Sequence, residues 1–158
     1  HTGEPVSFEG EIYQMSETRL LPRPVQRPRI PVWVAAMLPF KAGQRRSAHW
    51  DGIMPQVMPE ILDETQDISG LDMRILMEPS PEQIQEVVAF TSELRETDDP
   101  FDVVVSGVSY GLDTEAVSSK LQAYMDAGTT WWLEWLDCGK PGTLQQVREQ
   151  ILAGPPEI

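Results

Sequence analysis

The sequence predicts an α/β fold of parallel βα units, and three observations carry that prediction. Short runs at "IPVWVAA", "DGIMPQV", "FDVVVSG" and "TTWWLEWL" are too apolar to have a solvated face, which is how strands covered on both sides read. Segments with helical periodicity and legible caps follow these runs. The resulting order, strand then helix four times over, is that of a parallel sheet with crossover helices. Four such units make either a small doubly wound sheet or half of a (βα)8 barrel.

The first element precedes these units. "VSFEGEIY", Val6 to Tyr13, reads as a small hairpin turning at Glu9 and Gly10. Pro22, Pro24, Pro28 and Pro31 then fix φ and remove backbone donors, so the stretch from Leu20 to Arg29 is an extended connector that enters no ladder. It delivers the chain to the first buried strand, Ile30 to Ala36. "LPFKAGQRRSAHW" follows, with a short helix expected to open near Gly43, and the next strand lies in "DGIMPQV". Residues 58 to 79 are acidic and irregular.

The clearest helix is "SPEQIQEVVAFTSELRE". Ser80 is the N-cap, Pro81 takes the first position and Gln83 completes a capping box, with Ile84, Val87, Val88, Thr91 and Leu94 on one face. After the strand "FDVVVSG", a helix begins at Asp113 or Thr114 and ends at Gly128, whose missing Cβ suits a left-handed cap. The last strand is "TTWWLEWL". The last helix opens at Thr143 with Gln146 three residues on, turns Leu144, Val147 and Ile151 inward, and stops at "GPP".

Composition narrows the function. At 158 residues with 41% hydrophobic content the chain suits a single domain, here residues 1–29 as hairpin and connector and 30–158 as four βα units. Twelve basic against 25 acidic residues give a formal charge of -13, which repels nucleic acid and anionic membranes alike. Cys138 is the single cysteine and has no internal disulfide partner, and no apolar run approaches a membrane span, so a cytoplasmic protein is expected. The opening "HTGEPVSFEG" lacks an initiator methionine, which leads us to expect a piece of a longer chain.

"PRPVQRPRIPVWVAA", "RRSAHWDGIMP", "PFDVVVSG", "AGTTWWLEWL" and the terminal "AGPP", in this order, resemble the C-terminal half of the bacterial luciferase-like monooxygenases. The resemblance implies a (βα)8 TIM barrel, with these units as strands five to eight after an insertion hairpin. It implies an oxidoreductase using FMN, or alternatively the deazaflavin coenzyme F-420, with a small-molecule substrate. It also implies that the isolated half is inactive and associates, either as a homo-oligomer or with a complementing N-terminal half.

The candidate cofactor residues follow. Ala36 and Met37 end the first buried strand, and the loop "AAMLPFKAGQRR" leads into a helix whose free N–H groups, expected at Gln44, Arg45 and Arg46 beside Gly43, suit an anion. The resemblance places the flavin phosphate here, with Lys41 and Arg45 adding charge. "SGVSYG" offers Gly107 and Ser109, in a position where barrel enzymes often bind phosphate. The same residues spell G-x-S-x-G, but both histidines, His1 and His49, lie upstream, against the order of an α/β-hydrolase.

Glu134 shares a strand face with Thr130 and Trp132 and is either an active-site carboxylate or half of a framework ion pair. Trp131, Trp132 and Trp135 read as core, and His49, Asp51 and Gly52 as structural. No catalytic residue is assigned, and no metal-ligand spacing, G-x-G-x-x-G or Walker-type loop is present. A non-catalytic half-barrel serving as a dimerisation or binding module is the alternative function. A half-barrel also leaves its interior face bare, and some of Val32, Val34, Val103, Val105, Trp132 and Leu136 are expected there.

Overall fold

The computed structural model describes residues 3–58, 77–109, 111–136 and 143–155. The chain forms two compact units, His1–Pro31 and Val32–Ile158. The first holds an antiparallel hairpin of β1 (Val6–Glu9) and β2 (Gln14–Thr18), with Phe8 opposite Met15. Its second strand lies beyond Tyr13 because Gly10 N–H donates to the Tyr13 carbonyl at 2.9 Å, closing a longer turn than expected. No strand occurs between Thr18 and Trp33, as four prolines require.

The second unit runs β3 (Trp33–Leu38), α1 (Lys41–Ser47), β4 (Gly52–Val57), α2 (Pro81–Leu94), β5 (Asp102–Gly107), α3 (Thr114–Asp126), β6 (Trp131–Glu134) and α4 (Thr143–Ala153). The strands form one parallel sheet in the sequential order β3-β4-β5-β6. β3 starts later than the apolar run because Asp51 holds Val32 outside the ladder: its carboxylate accepts the Val32 N–H at 2.6 Å, and its own N–H donates to the Val32 carbonyl at 3.2 Å. The α2 capping box is present, Ser80 accepting from Gln83 N–H and Gln83 from Ser80 N–H. Asp113 caps α3, and Gly128 ends it with φ of +102°.

Sequential order has a strong consequence. Right-handed crossovers that always step to the same side place the helices on one face of the sheet. The core lies on that face: Ala36, Leu38, Ile53, Val103 and Val105 pack against Ile84 and Val87 of α2 and against Tyr124 and Ala127 at α3. Strand registers put Trp132 and Glu134 on the same side. The opposite face carries Trp33, Ala35 and Met37, then Met54 and Gln56, then Val104 and Ser106, then Trp131 and Leu133.

The phase therefore corrects the sequence reading. Val103, Val105 and Trp132 belong to the helix-covered core, whereas Trp131 on the other face is 49% exposed. α4 is corrected too: Val147 is buried, but Leu144 is 68% and Ile151 62% exposed. A helix beside an edge strand has a neighbour on one side only, so the flanks of its apolar stripe stay outward. Four parallel strands with this order fit a partial α/β barrel.

Gly43 shows how closely α1 is seated. A Cβ there would meet Ala36 Cα at 2.7 Å and the Ala35 carbonyl at 3.0 Å, both backbone atoms of β3. Gly43→Ala raises helix propensity by roughly 1 kcal/mol. Overpacking against backbone costs about 1–3 kcal/mol, so the net change is expected to be destabilising. Urea unfolding checks this through a lowered midpoint at unchanged slope.

Candidate functional site

The C-terminal ends of the strands hold the polar chemistry, and a proline makes room for it. On β4 the Asp51 carbonyl accepts from Asp102 N–H, so the odd-numbered backbone groups face β5, and the next donor the ladder needs is that of residue 55. Pro55 has none. The β4–β5 register accordingly stops at Ile53 opposite Val103, and the Val57 N–H turns to the Met77 carbonyl at 3.0 Å.

Glu78, next in the chain, occupies the gap. Its carboxylate accepts from Val108 N–H at 3.1 Å, pairs with Lys120 Nζ at 2.7 Å and lies 2.8 Å from the Tyr124 hydroxyl. Glu78 is 8% exposed, and the Val108 amide, the Lys120 ammonium and a Tyr124 hydroxyl shared with the Pro79 carbonyl at 2.7 Å offset the loss of its hydration. Lys120 also donates to the Val108 carbonyl at 2.8 Å and lies over the Trp132 ring. Gly107 leaves the space: a Cβ there would meet the Trp132 ring and, at 2.5 Å, Glu78 Oε2.

A second carboxylate anchors the same loop from β6. Glu134 accepts from Ser109 N–H at 2.6 Å, from the Ser109 hydroxyl at 2.8 Å and from the Trp132 indole at 2.7 Å. Of the two roles weighed for Glu134, the geometry supplies a framework one, held by a serine and an indole and placed on the helix side of the sheet. The Ser109 hydroxyl is bonded to a carboxylate, and the one histidine among the described residues, His49, follows α1, where its N–H donates to the Arg46 carbonyl.

The loop after β3 differs from expectation. α1 begins at Lys41, so Gln44, Arg45 and Arg46 lie past the first three helical positions and their N–H groups are engaged within the helix. The free donors are those of Lys41, Ala42 and Gly43. No acidic residue stands in that turn. Gln44 is fully buried, its amide reaching the Phe40 carbonyl and Lys41 Nζ, while Lys41 and Arg45 lie over the Phe90 ring. Ala36 is buried under α1, and Met37 lies half-buried on the opposite face.

The structure therefore gathers Gly107, Ser109 and Glu134 into one cluster and Ala36, Lys41, Gly43, Gln44 and Arg45 into another. Sequence reading missed Glu78, Lys120 and Tyr124. The one available signal was the Lys120–Tyr124 spacing, which puts both on one face of α3. Among the described residues no group of acidic, histidine or cysteine side chains is arranged to hold a metal, and no helix is long and apolar enough to cross a membrane. Cys138 and most of the acidic stretch after β4 lie outside the described residues.

A four-stranded parallel sheet with its polar groups at the C-terminal strand ends fits part of an α/β barrel. The family model for luciferase-like monooxygenases matches residues 1–68, a stretch that runs through β4. Over those residues the chain is similar to the luciferase-like monooxygenases, the family its motifs resemble. No curated protein and no solved structure matches it.

Burial, first, and then the Glu78 carboxylate hold the Tyr124 hydroxyl proton well above the ordinary phenol range. A raised folded-state pKa gives stability that is complete below the unfolded value of about 10 and is lost as pH rises beyond it. The melting temperature should therefore fall above about pH 10. Tyr124→Phe should flatten that decline, and should remove the tyrosine that ionises only on unfolding in a 295 nm titration.

Proposed function

We propose that the chain is the C-terminal half of a flavin-dependent (βα)8 monooxygenase, β3 to β6 serving as barrel strands five to eight. The observation that carries this reading is the sequential parallel sheet with its core on one face, in a chain whose first 68 residues match the family. In the assembled barrel the helix-free face of the sheet, where Val104 is already buried but Ala35 and Trp131 are exposed, becomes the interior. Its cover comes from a complementing N-terminal half or from a second copy, and the chain alone is inactive. A cytoplasmic setting belongs to the same reading and is supported by the lone cysteine.

The flavin, FMN or the deazaflavin F-420, supplies the redox chemistry when bound, and the protein supplies orientation and a dry pocket. The residues fit it unequally. At α1 the reading is supported by the first-turn amides at the C-terminal edge of the sheet and by the charge of Lys41, whose Nζ also reaches Gln44 and lies over Phe90. At the loop after β5 both Ser109 donors are committed to Glu134, so that loop does not fit a phosphate, and Glu134 acts by fixing the loop.

The test is a titration of the chain joined to the strands that precede it in its source reading frame. FMN or F-420 should bind, and Lys41→Gln should weaken FMN by about 1–3 kcal/mol, the scale of a hydrogen bond to a charged group. Lumiflavin, which has no phosphate, should be unaffected by that substitution. Failure to bind either cofactor would sink the flavin reading.

A further inference from the structure

The first unit carries an apolar sheet face of its own. In the hairpin Val6 and Phe8 alternate with Ser7 and Glu9, and Phe8 stands opposite Met15 as Glu9 stands opposite Gln14. One face is therefore apolar and the other polar, the alternation of a sheet covered on one side. Val6, Phe8 and Met15 are nonetheless exposed, as are Ile12 and Tyr13 in the turn. A lone two-stranded ribbon is marginal in water, and an apolar patch of this kind marks an interaction surface.

Charge indicates what covers it. The first unit holds four of the chain's 25 acidic residues and four of its 12 basic ones, so it is neutral, and the second, with 21 acidic against eight basic, carries the whole charge of -13. Of the two units, the first is the one at which two copies meet without net repulsion. That neutral unit is itself divided. Its acids, Glu4, Glu9, Glu11 and Glu17, all precede its bases, Arg19, Arg23, Arg27 and Arg29. Glu4 pairs with Arg23 at 2.8 Å and with Arg19 at 3.9 Å, which ties the connector to the start of the hairpin. Glu9 and Glu11 at the hairpin tip and Arg27 in the connector have no ion-pair partner among the described residues, and the Arg27 guanidinium donates to the Pro24 and Gln26 carbonyls.

We infer that this face is an interface with a second copy of the chain, closed as a two-fold pair. The hairpin tip of each protomer, with Glu9 and Glu11, meets the connector of the other, with Arg27 and Arg29, and Phe8 and Met15 of both are covered between them. A two-fold contact needs a surface complementary to itself, and an apolar face with one acidic and one basic segment meets that condition. The apolar contact supplies the affinity, because exposed ion pairs contribute little, and the charges set which way round the copies meet. This interface is independent of the flavin reading and of the open sheet in the second unit.

Complementation between charge-reversed variants tests it. One 158-residue chain carries Glu9→Arg with Glu11→Arg, another carries Arg27→Glu with Arg29→Glu, and a fluorescent label on one partner follows sedimentation at low salt. Each variant alone should self-associate about 10-fold more weakly than the unaltered chain, through like charges at both contacts. Their mixture should regain the unaltered affinity, because both contacts then bring opposite charges together. Phe8→Ser should weaken association about 10- to 100-fold at any salt concentration, the scale of one large apolar side chain left uncovered. Association through the open sheet is the same in every mixture, so the differences between mixtures report on the hairpin alone. Recovery on mixing is not open to a variant that has merely lost its fold. A mixture no stronger than either variant alone would overturn the inference, and so would a Phe8→Ser chain that associates as the unaltered one does.

Discussion

The hand of the βα crossover governs the second unit of this chain. Three successive steps from β3 to β6 each move to the next position on the same side, and a right-handed connection then leaves the helices no choice of face. One face therefore gains the core that joins Ile53, Val105, Ile84, Val87 and Tyr124. The other face keeps Ala35 and Trp131 in contact with solvent. A doubly wound sheet avoids this by reversing direction partway, and the strand order among the described residues contains no reversal. Closure into a barrel is the other solution, and it needs about eight strands.

Within that frame a single residue shapes the site. Pro55 stands in a central strand, where a missing N–H is normally excluded, and the structure accommodates it by ending the ladder to β5. Glu78 fills the resulting gap and receives a cation, a phenol and a backbone amide. Removing one partner of such a buried set costs more than the set itself contributes, because the remaining charge is left without compensation. The loop after β5 thus rests on Glu78 from one side and Glu134 from the other.

Much of the fold was legible because it rests on local rules. Ser80, Pro81 and Gln83 announce α2, and Asp113 and Gly128 bracket α3, through caps that depend on residues a few positions apart. The apolar runs marked every strand of the parallel sheet. Their facing was not legible, since a run apolar on both sides carries no alternation to phase, and only long-range register puts Val105 on the helix side and Val104 on the other. Glu134 was visible as a strand carboxylate on the Trp132 side, but its partner Ser109 lies on another strand's loop. Glu78 had no sequence signal. It sits in an acidic stretch, and its role depends on a proline more than twenty residues earlier.

One face of the sheet and the edges β3 and β6 need a partner. Sedimentation equilibrium of the 158-residue chain over a wide concentration range tests that need most directly. Reversible self-association through that face is expected, displaced when strands one to four are added in trans. A monomer at every concentration that melts in one cooperative step would contradict it.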